Sequence, residues 1–106
     1  MNPDQVVEAL AALAQPTRLA IYRLLVAAGK GGMAAGQVAE SLKAAPASLS
    51  FHFKTLSHAS LVESRQDGRF IYYTANFDAM NGLVGYLTEN CCSGNPEACN
   101  VPGRKC

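Results

Sequence analysis

The four cysteines all fall in the last sixteen residues, at Cys91, Cys92, Cys99 and Cys106. A disulfide scaffold spreads its cysteines through the domain that it staples. Here the sulfur chemistry is appended to a domain that must stand on its hydrophobic core. Several chemistries remain open to these thiols. Four thiolates could hold zinc or cadmium, although zinc sites usually separate a ligand pair by two to four residues, and an adjacent pair is an awkward tetrahedral chelate. A Cys91–Cys92 disulfide is strained, because consecutive Cα atoms lie about 3.8 Å apart, below the usual disulfide range. A redox sensor would sooner pair either one with Cys99. Catalysis is not expected. An attacking thiol needs a histidine or a helix amino end beside it, whereas these follow the carboxyl end of a predicted helix, where the dipole disfavours thiolate. No other nucleophile–base set and no Gly-rich phosphate loop is present.

A second chemistry lies in the middle of the chain. Ser48, Ser50, His52, Lys54 and Thr55 fall within two turns of one predicted helix. A helix in the major groove reads base edges near its amino end and grips phosphates with hydroxyls and cations. Arg65 and Arg69 flank a predicted turn and suit phosphates or a minor groove. Residues 43 to 69 carry Lys43, Lys54, Arg65 and Arg69 against Glu63 and Asp67, a local charge of +2. So modest a patch implies strongly salt-dependent binding that relies on dimerisation. His52 and His58 stand six apart, which is not a ligand spacing on one helical face. A polar helix face is usually only solvated, but an exposed Phe51 beside these residues normally needs a contact.

The elements that must position these residues follow from periodicity. Val6, Val7, Leu10, Leu13 and Ala14 recur at helical spacing over 4–14. Pro16 suits the first turn of a second helix, about 17–28, apolar on nearly every side and so expected to be packed all round. The Gly29-Lys30-Gly31-Gly32 run ends it. A short helix over about 34–42 and another from Pro46 to about Ala59 make a helix-turn-helix, the latter burying Leu49, Phe53 and Leu56. Val62 to Ala75 reads as a hairpin, with Asp67-Gly68 as its turn. A last helix spans about 77–89, and its apolar face, including Leu83, Val84, Tyr86 and Leu87, is wider than a monomer needs. The predicted fold is mostly α with a β-hairpin wing: a winged helix-turn-helix with an additional C-terminal helix, dimeric. Residues 1–90 would form the DNA-binding and dimerisation domain, and 91–106 a cysteine-rich tail.

Composition agrees. At 106 residues, 49% hydrophobic and 16% charged, the chain suits one domain and excludes a disordered polyelectrolyte. A net charge of +1 excludes global, histone-like binding of nucleic acid. No cationic start, signal-length apolar stretch or run of about 20 apolar residues is present, so a cytoplasmic protein without membrane contact is expected.

Three segments resemble the ArsR/SmtB family of bacterial metalloregulatory repressors. Leu13-Ala14-Gln15-Pro16-Thr17-Arg18-Leu19-Ala20-Ile21 looks like the family's second helix, and Ser48-Leu49-Ser50-Phe51-His52-Phe53-Lys54-Thr55-Leu56 like its recognition helix. Asp67-Gly68-Arg69-Phe70-Ile71-Tyr72-Tyr73 is similar to its wing. The resemblance implies a homodimer that binds double-stranded operator DNA and leaves it when a metal or metalloid binds. It places DNA contacts on Ser48, Ser50, His52, Lys54 and Arg69. Ala45, Pro46 and Ala47 depart from a common serine cap and Gln-Ser opening, at a cost of about 1 kcal/mol for the cap.

The family's Cys-x-Cys in the third helix is absent from 37–42, and the last helix offers Asp78 and Glu89 but no histidine for a zinc site. What remains is Cys91, Cys92 and Cys99. Soft thiolates suit a three-coordinate As(III) or Sb(III) centre, and family members with a similar Cys-Cys pair and a third Cys bind As(III) through three sulfurs. Closing to Cys106 instead doubles the loop for only about 0.6 kcal/mol, favouring Cys99 roughly threefold. The expected effector is As(III), with Sb(III) or methylarsenite as variants, and no catalytic cofactor. A zinc- or cadmium-responsive or thiol-redox-sensing repressor is the alternative.

Overall fold

The computed structural model describes residues 1–94, and within them five helices and a small sheet form in the predicted order. Helix α1 (Pro3–Leu13) starts at a capping box, in which the Asn2 side chain accepts from the Gln5 amide and the Gln5 side chain accepts from the Asn2 amide. It buries Val6, Ala9 and Ala12 and leaves Val7 and Leu10 exposed. Helix α2 (Pro16–Ala28) is capped by Gln15, which accepts from the Arg18 amide.

The expectation that α2 is enclosed on every side is corrected. It packs on α1, on the strand Phe70–Ala75 and on both helices of the helix-turn-helix, but only Ile21, Tyr22 and Leu25 are buried. Leu19 is exposed, so this helix contributes one apolar flank to the surface.

A 3-10 turn, Gly29–Gly31, leads into a strand that periodicity missed, β1 (Met33–Ala34). Two residues carry no pattern; their pairing with Tyr73 and Tyr72 makes them a strand. Gly32 permits the approach. Its φ is +70°, and a Cβ there would overlap the Tyr73 carbonyl oxygen and lie 2.6 Å from Thr74 Cγ2.

Helices α3 (Ala35–Leu42) and α4 (Pro46–His58) form the helix-turn-helix, joined through Lys43 in the left-handed region. Helix α4 buries Leu49, Phe53 and Leu56, as the sequence implies. These meet Ala9, Ile21, Leu25, Val38 and Leu61 in one core.

Strands β2 (Val62–Asp67) and β3 (Phe70–Ala75) are antiparallel, and the sheet order is β1-β3-β2. The register pairs Asp67 with Phe70, so the two-residue loop is Gly68-Arg69, one position later than expected. Gly68 takes a φ of +62° and Arg69 has none in that region. A positive φ at the first loop position alone is the II′ pattern, which needs glycine there rather than an Asp-Gly pair.

Helix α5 (Phe77–Leu87) ends two residues before Glu89, where Thr88 donates its hydroxyl to the Val84 carbonyl at 2.8 Å. Only Leu83 of α5 is buried, while Tyr86 and Leu87 are exposed, Leu87 by 57%. The wide apolar face expected of this helix is therefore present and open. The segment Cys91–Gly94 follows, with Cys92 and Ser93 in the left-handed region at φ of 55° and 56°. Cys99 and Cys106, and the rest of the tail, lie outside the described residues.

Candidate nucleic-acid interface

Helix α4 can present a polar face because its three large apolar side chains are fixed in the core behind it. Ser48, Ser50 and Lys54 are exposed, with Ser50 and Lys54 one turn apart on one face. No side chain caps α4 at Ala45, as the sequence implies. Ser48 instead donates its hydroxyl to the Ala45 carbonyl at 2.7 Å, leaving its oxygen as an acceptor. Thr55 likewise donates to the Phe51 carbonyl at 3.1 Å. Unpaired amides in an uncapped first turn favour phosphate oxygens.

His52 is half-buried, turned toward α2. Arg18 Nη1 lies 3.3 Å from His52 Nδ1, and Arg18 Nε donates to the Ala12 carbonyl at 2.6 Å. Phe51, 68% exposed, meets the His52 ring edge-on at 5.8 Å. Beside them a cleft of about 480 Å³ runs between α1 and α4, lined by Glu8, Arg18, Phe51, Lys54 and His58. Three cationic or imidazole groups against one carboxylate make it favourable to anions.

The two wing arginines have different settings. Arg69 occupies the loop and is exposed. Arg65 lies four residues back; its Nη2 donates to the Gly31 carbonyl at 3.2 Å and its guanidinium sits 5.0 Å from the Tyr72 ring centroid. This contact braces the wing against the Gly29–Gly31 turn, and the residue remains exposed. A second brace is the stack of Tyr73 on Phe53, with centroids 4.0 Å apart and planes 11° apart, which ties the wing to α4. Phe70 and Ile71 are exposed near the loop.

Asn76 was also overlooked. Its side chain donates to the Ser60 carbonyl and accepts from the Ala79 amide, and its own amide donates to the Leu61 carbonyl. One residue thus fastens the start of α5 to the corner that follows α4.

Of the predicted metal ligands, Cys91 and Cys92 sit together just beyond α5. Cys91 is half-buried and Cys92 is exposed. Among the described residues no three His, Cys, Asp or Glu side chains are placed to share a metal ion. None of the described helices is long and apolar enough to cross a membrane.

Comparison with known proteins places this geometry. A family profile described as a helix-turn-helix domain matches residues 13–65. The transcriptional repressor SdpR of Bacillus subtilis (strain 168) is 34% identical over 83 residues, covering 74% of this chain and 88% of the repressor. An ArsR-like transcriptional regulator from Rhodococcus sp. RHA1 superposes with a TM-score of 0.69 at 28% identity, over 79% of this chain and 76% of that one. A possible transcriptional regulator for arsenical resistance gives 0.66 at 30% identity, over 76% and 80%. The homodimeric winged helix-turn-helix domain of Mb0332 from Mycobacterium bovis gives 0.65 at 29% identity, over 82% and 81%.

Proposed function

Because the chain belongs to the ArsR family of winged helix-turn-helix transcriptional regulators, we propose that it is a repressor released from operator DNA by trivalent arsenic. It binds the operator as a homodimer in the cytoplasm. Ser48, Ser50, His52 and Lys54 of α4 and Arg69 of the wing serve the DNA contact, with Arg65 holding the wing in place. The dimer forms through the exposed apolar residues of the terminal helices, Val7 and Leu10 on α1 and Tyr86 and Leu87 on α5. The homodimeric Mycobacterium bovis domain supports this reading.

Cys91, Cys92 and Cys99 ligate the effector. The observation that carries the assignment is the position of the adjacent pair Cys91-Cys92 just past α5, whose apolar face is open for dimer contact. Two neighbouring thiols fit the soft, three-coordinate chemistry of As(III). Only the thiolate is a ligand, so the effector binds the reduced protein. The arsenical-resistance neighbour supports arsenic over zinc or cadmium.

Drawing three sulfurs around one ion reshapes the end of α5. Asn76 carries that movement to the corner after α4, and the dimer contact carries it to the partner's recognition helix. A coupling of about 1–3 kcal/mol lowers operator affinity about 5- to 150-fold, enough for derepression. Arsenic-edge X-ray absorption on the reduced protein tests the ligand set. Three sulfurs are expected in the wild type and in Cys106→Ser, and fewer in Cys91→Ser, Cys92→Ser and Cys99→Ser. An unchanged sulfur count in any of the last three would remove that residue from the site.

A further inference from the structure

Arg18 lies outside the exposed face of α4, yet its guanidinium bridges two helices of different function. Nε donates to the carbonyl of Ala12 in the last turn of α1, at 2.6 Å, and Nη1 meets Nδ1 of His52 in α4, at 3.3 Å. Its own amide is fixed by the Gln15 cap, at 2.8 Å, so both ends of the residue are tied.

A guanidinium has donors and no acceptor. The contact with His52 is therefore a hydrogen bond only when Nδ1 carries no hydrogen. The ring hydrogen then resides on Nε2, and the other nitrogen fixes which tautomer is present. The two ring nitrogens point in diverging directions, so an imidazole whose Nδ1 faces α2 directs Nε2–H away from it. We propose that Arg18 is a positioning residue for DNA recognition: it holds His52 as an Nε2–H donor and locks the roll of α4 against α1.

The inference rests on α4 being the DNA-reading helix and adds two statements to that reading. His52 offers nucleic acid a donor, which suits the acceptor edges of guanine, N7 and O6, and is mismatched to the N4 amino group of cytosine. The orientation of α4 is also tied to α1 through one side chain, so a shift of α1 at the dimer contact reaches His52 directly. Lysine cannot reproduce this. Its ammonium is a point charge without the planar fork that spans two acceptors on different helices.

The substitutions divide the roles. Arg18→Lys keeps the charge and loses the double bridge. His52→Asn keeps an acceptor near the Nδ1 position and loses the distal donor; His52→Gln keeps a distal donor and loses the near acceptor. The full-length reduced chain is examined by long-range 1H–15N NMR of the His52 ring. In parallel, fluorescence anisotropy at fixed salt measures binding to DNA from upstream of its own gene and to a scrambled duplex of equal length.

The wild type should show hydrogen on Nε2, and Arg18→Lys a mixture of tautomers. Arg18→Lys should weaken binding to the upstream DNA about 10-fold, the equivalent of one charge-assisted hydrogen bond, with a much smaller change on the scrambled duplex. His52→Asn and His52→Gln should each lose part of this selectivity. Hydrogen on Nδ1 in the wild type, or an unchanged ring spectrum in Arg18→Lys, would overturn the proposal. So would equal losses on the two duplexes. A wild type that fails to prefer its upstream DNA would instead sink the DNA-reading role of α4, while the ring spectrum would still decide whether Arg18 sets His52.

Discussion

Replacing Tyr22 with phenylalanine should stabilise the protein. Tyr22 packs in α2 with 7% of its surface exposed, and its hydroxyl is buried with no hydrogen-bond partner among the described residues. Apolar side chains, Leu13, Met80 and Leu83 among them, line the groove that it faces. An unpaired buried hydroxyl costs about 1–3 kcal/mol. Phenylalanine keeps the ring, opens no cavity and removes the unpaired group. The groove opens toward the surface, so the lower end applies: about 1 kcal/mol, or a Tm higher by about 4–8 °C for a domain of this size.

The effect should grow with pH. Burial pushes the Tyr22 phenol above its ordinary value near 10. The folded state therefore holds that proton more tightly than the unfolded state does. Stability linked to it is intact below pH 10 and is lost as pH rises from there through the folded value. Tyr22→Phe is free of this loss, so its advantage should widen above pH 10. Urea unfolding followed by circular dichroism, at pH 7 and again between pH 10 and 11, reads both effects. A Tyr22→Phe protein no more stable than wild type at pH 7, with parallel losses above pH 10, would refute the reasoning and show that the hydroxyl is hydrogen-bonded in solution.

Other expectations follow from the same geometry. Gly32→Ala, which places a Cβ against Tyr73 in a backbone region that is almost glycine-only, should cost at least about 2 kcal/mol by thermal unfolding. Gly31→Ala, facing open space, should cost little and serves as its control. Arg69→Ala should weaken binding to all DNA sequences alike and lower the slope of log K against log salt by about 0.9, the signature of one lost phosphate contact. Arg65→Ala should leave that slope nearly unchanged, because its guanidinium is committed to Gly31 and Tyr72. Leu87→Glu, on the open face of α5, should convert the dimer to monomer in sedimentation equilibrium without unfolding it. A dimer of unchanged strength would move the interface elsewhere.

Much of the fold was legible because amphipathic periods survive in the chain. The Leu49, Phe53 and Leu56 stripe located α4 and the side it buries. Asn2 and Gln5, by contrast, formed a capping signal that went unread. The differences arise where structure is made by partners distant in sequence. Met33–Ala34 is a strand only because β3 passes beside it, and the loop at Gly68-Arg69 is set by strand register rather than by the Asp-Gly pair. Helix α2 looked enclosed because apolar residues ring it, but side-chain type does not tell a core from an interface.

The site shows the same division. Ser48, Ser50, Lys54 and Arg69 were visible as polar or cationic residues on a helix and a hairpin, and the structure leaves all four exposed. Arg18 and His52 stand 34 positions apart, and no local pattern announces their contact. Arg65 was visible as a second phosphate candidate, but its contacts with the Gly31 carbonyl and the Tyr72 ring were not. The adjacent cysteines were conspicuous from spacing alone.

The most direct test of the account is an arsenite titration of the reduced dimer bound to DNA from upstream of its own gene, followed by fluorescence anisotropy at fixed salt. The account predicts release as one arsenic binds per site, with affinity falling about 5- to 150-fold, and no release in Cys91→Ser, Cys92→Ser or Cys99→Ser. Stoichiometric arsenite binding that left operator affinity unchanged would contradict it.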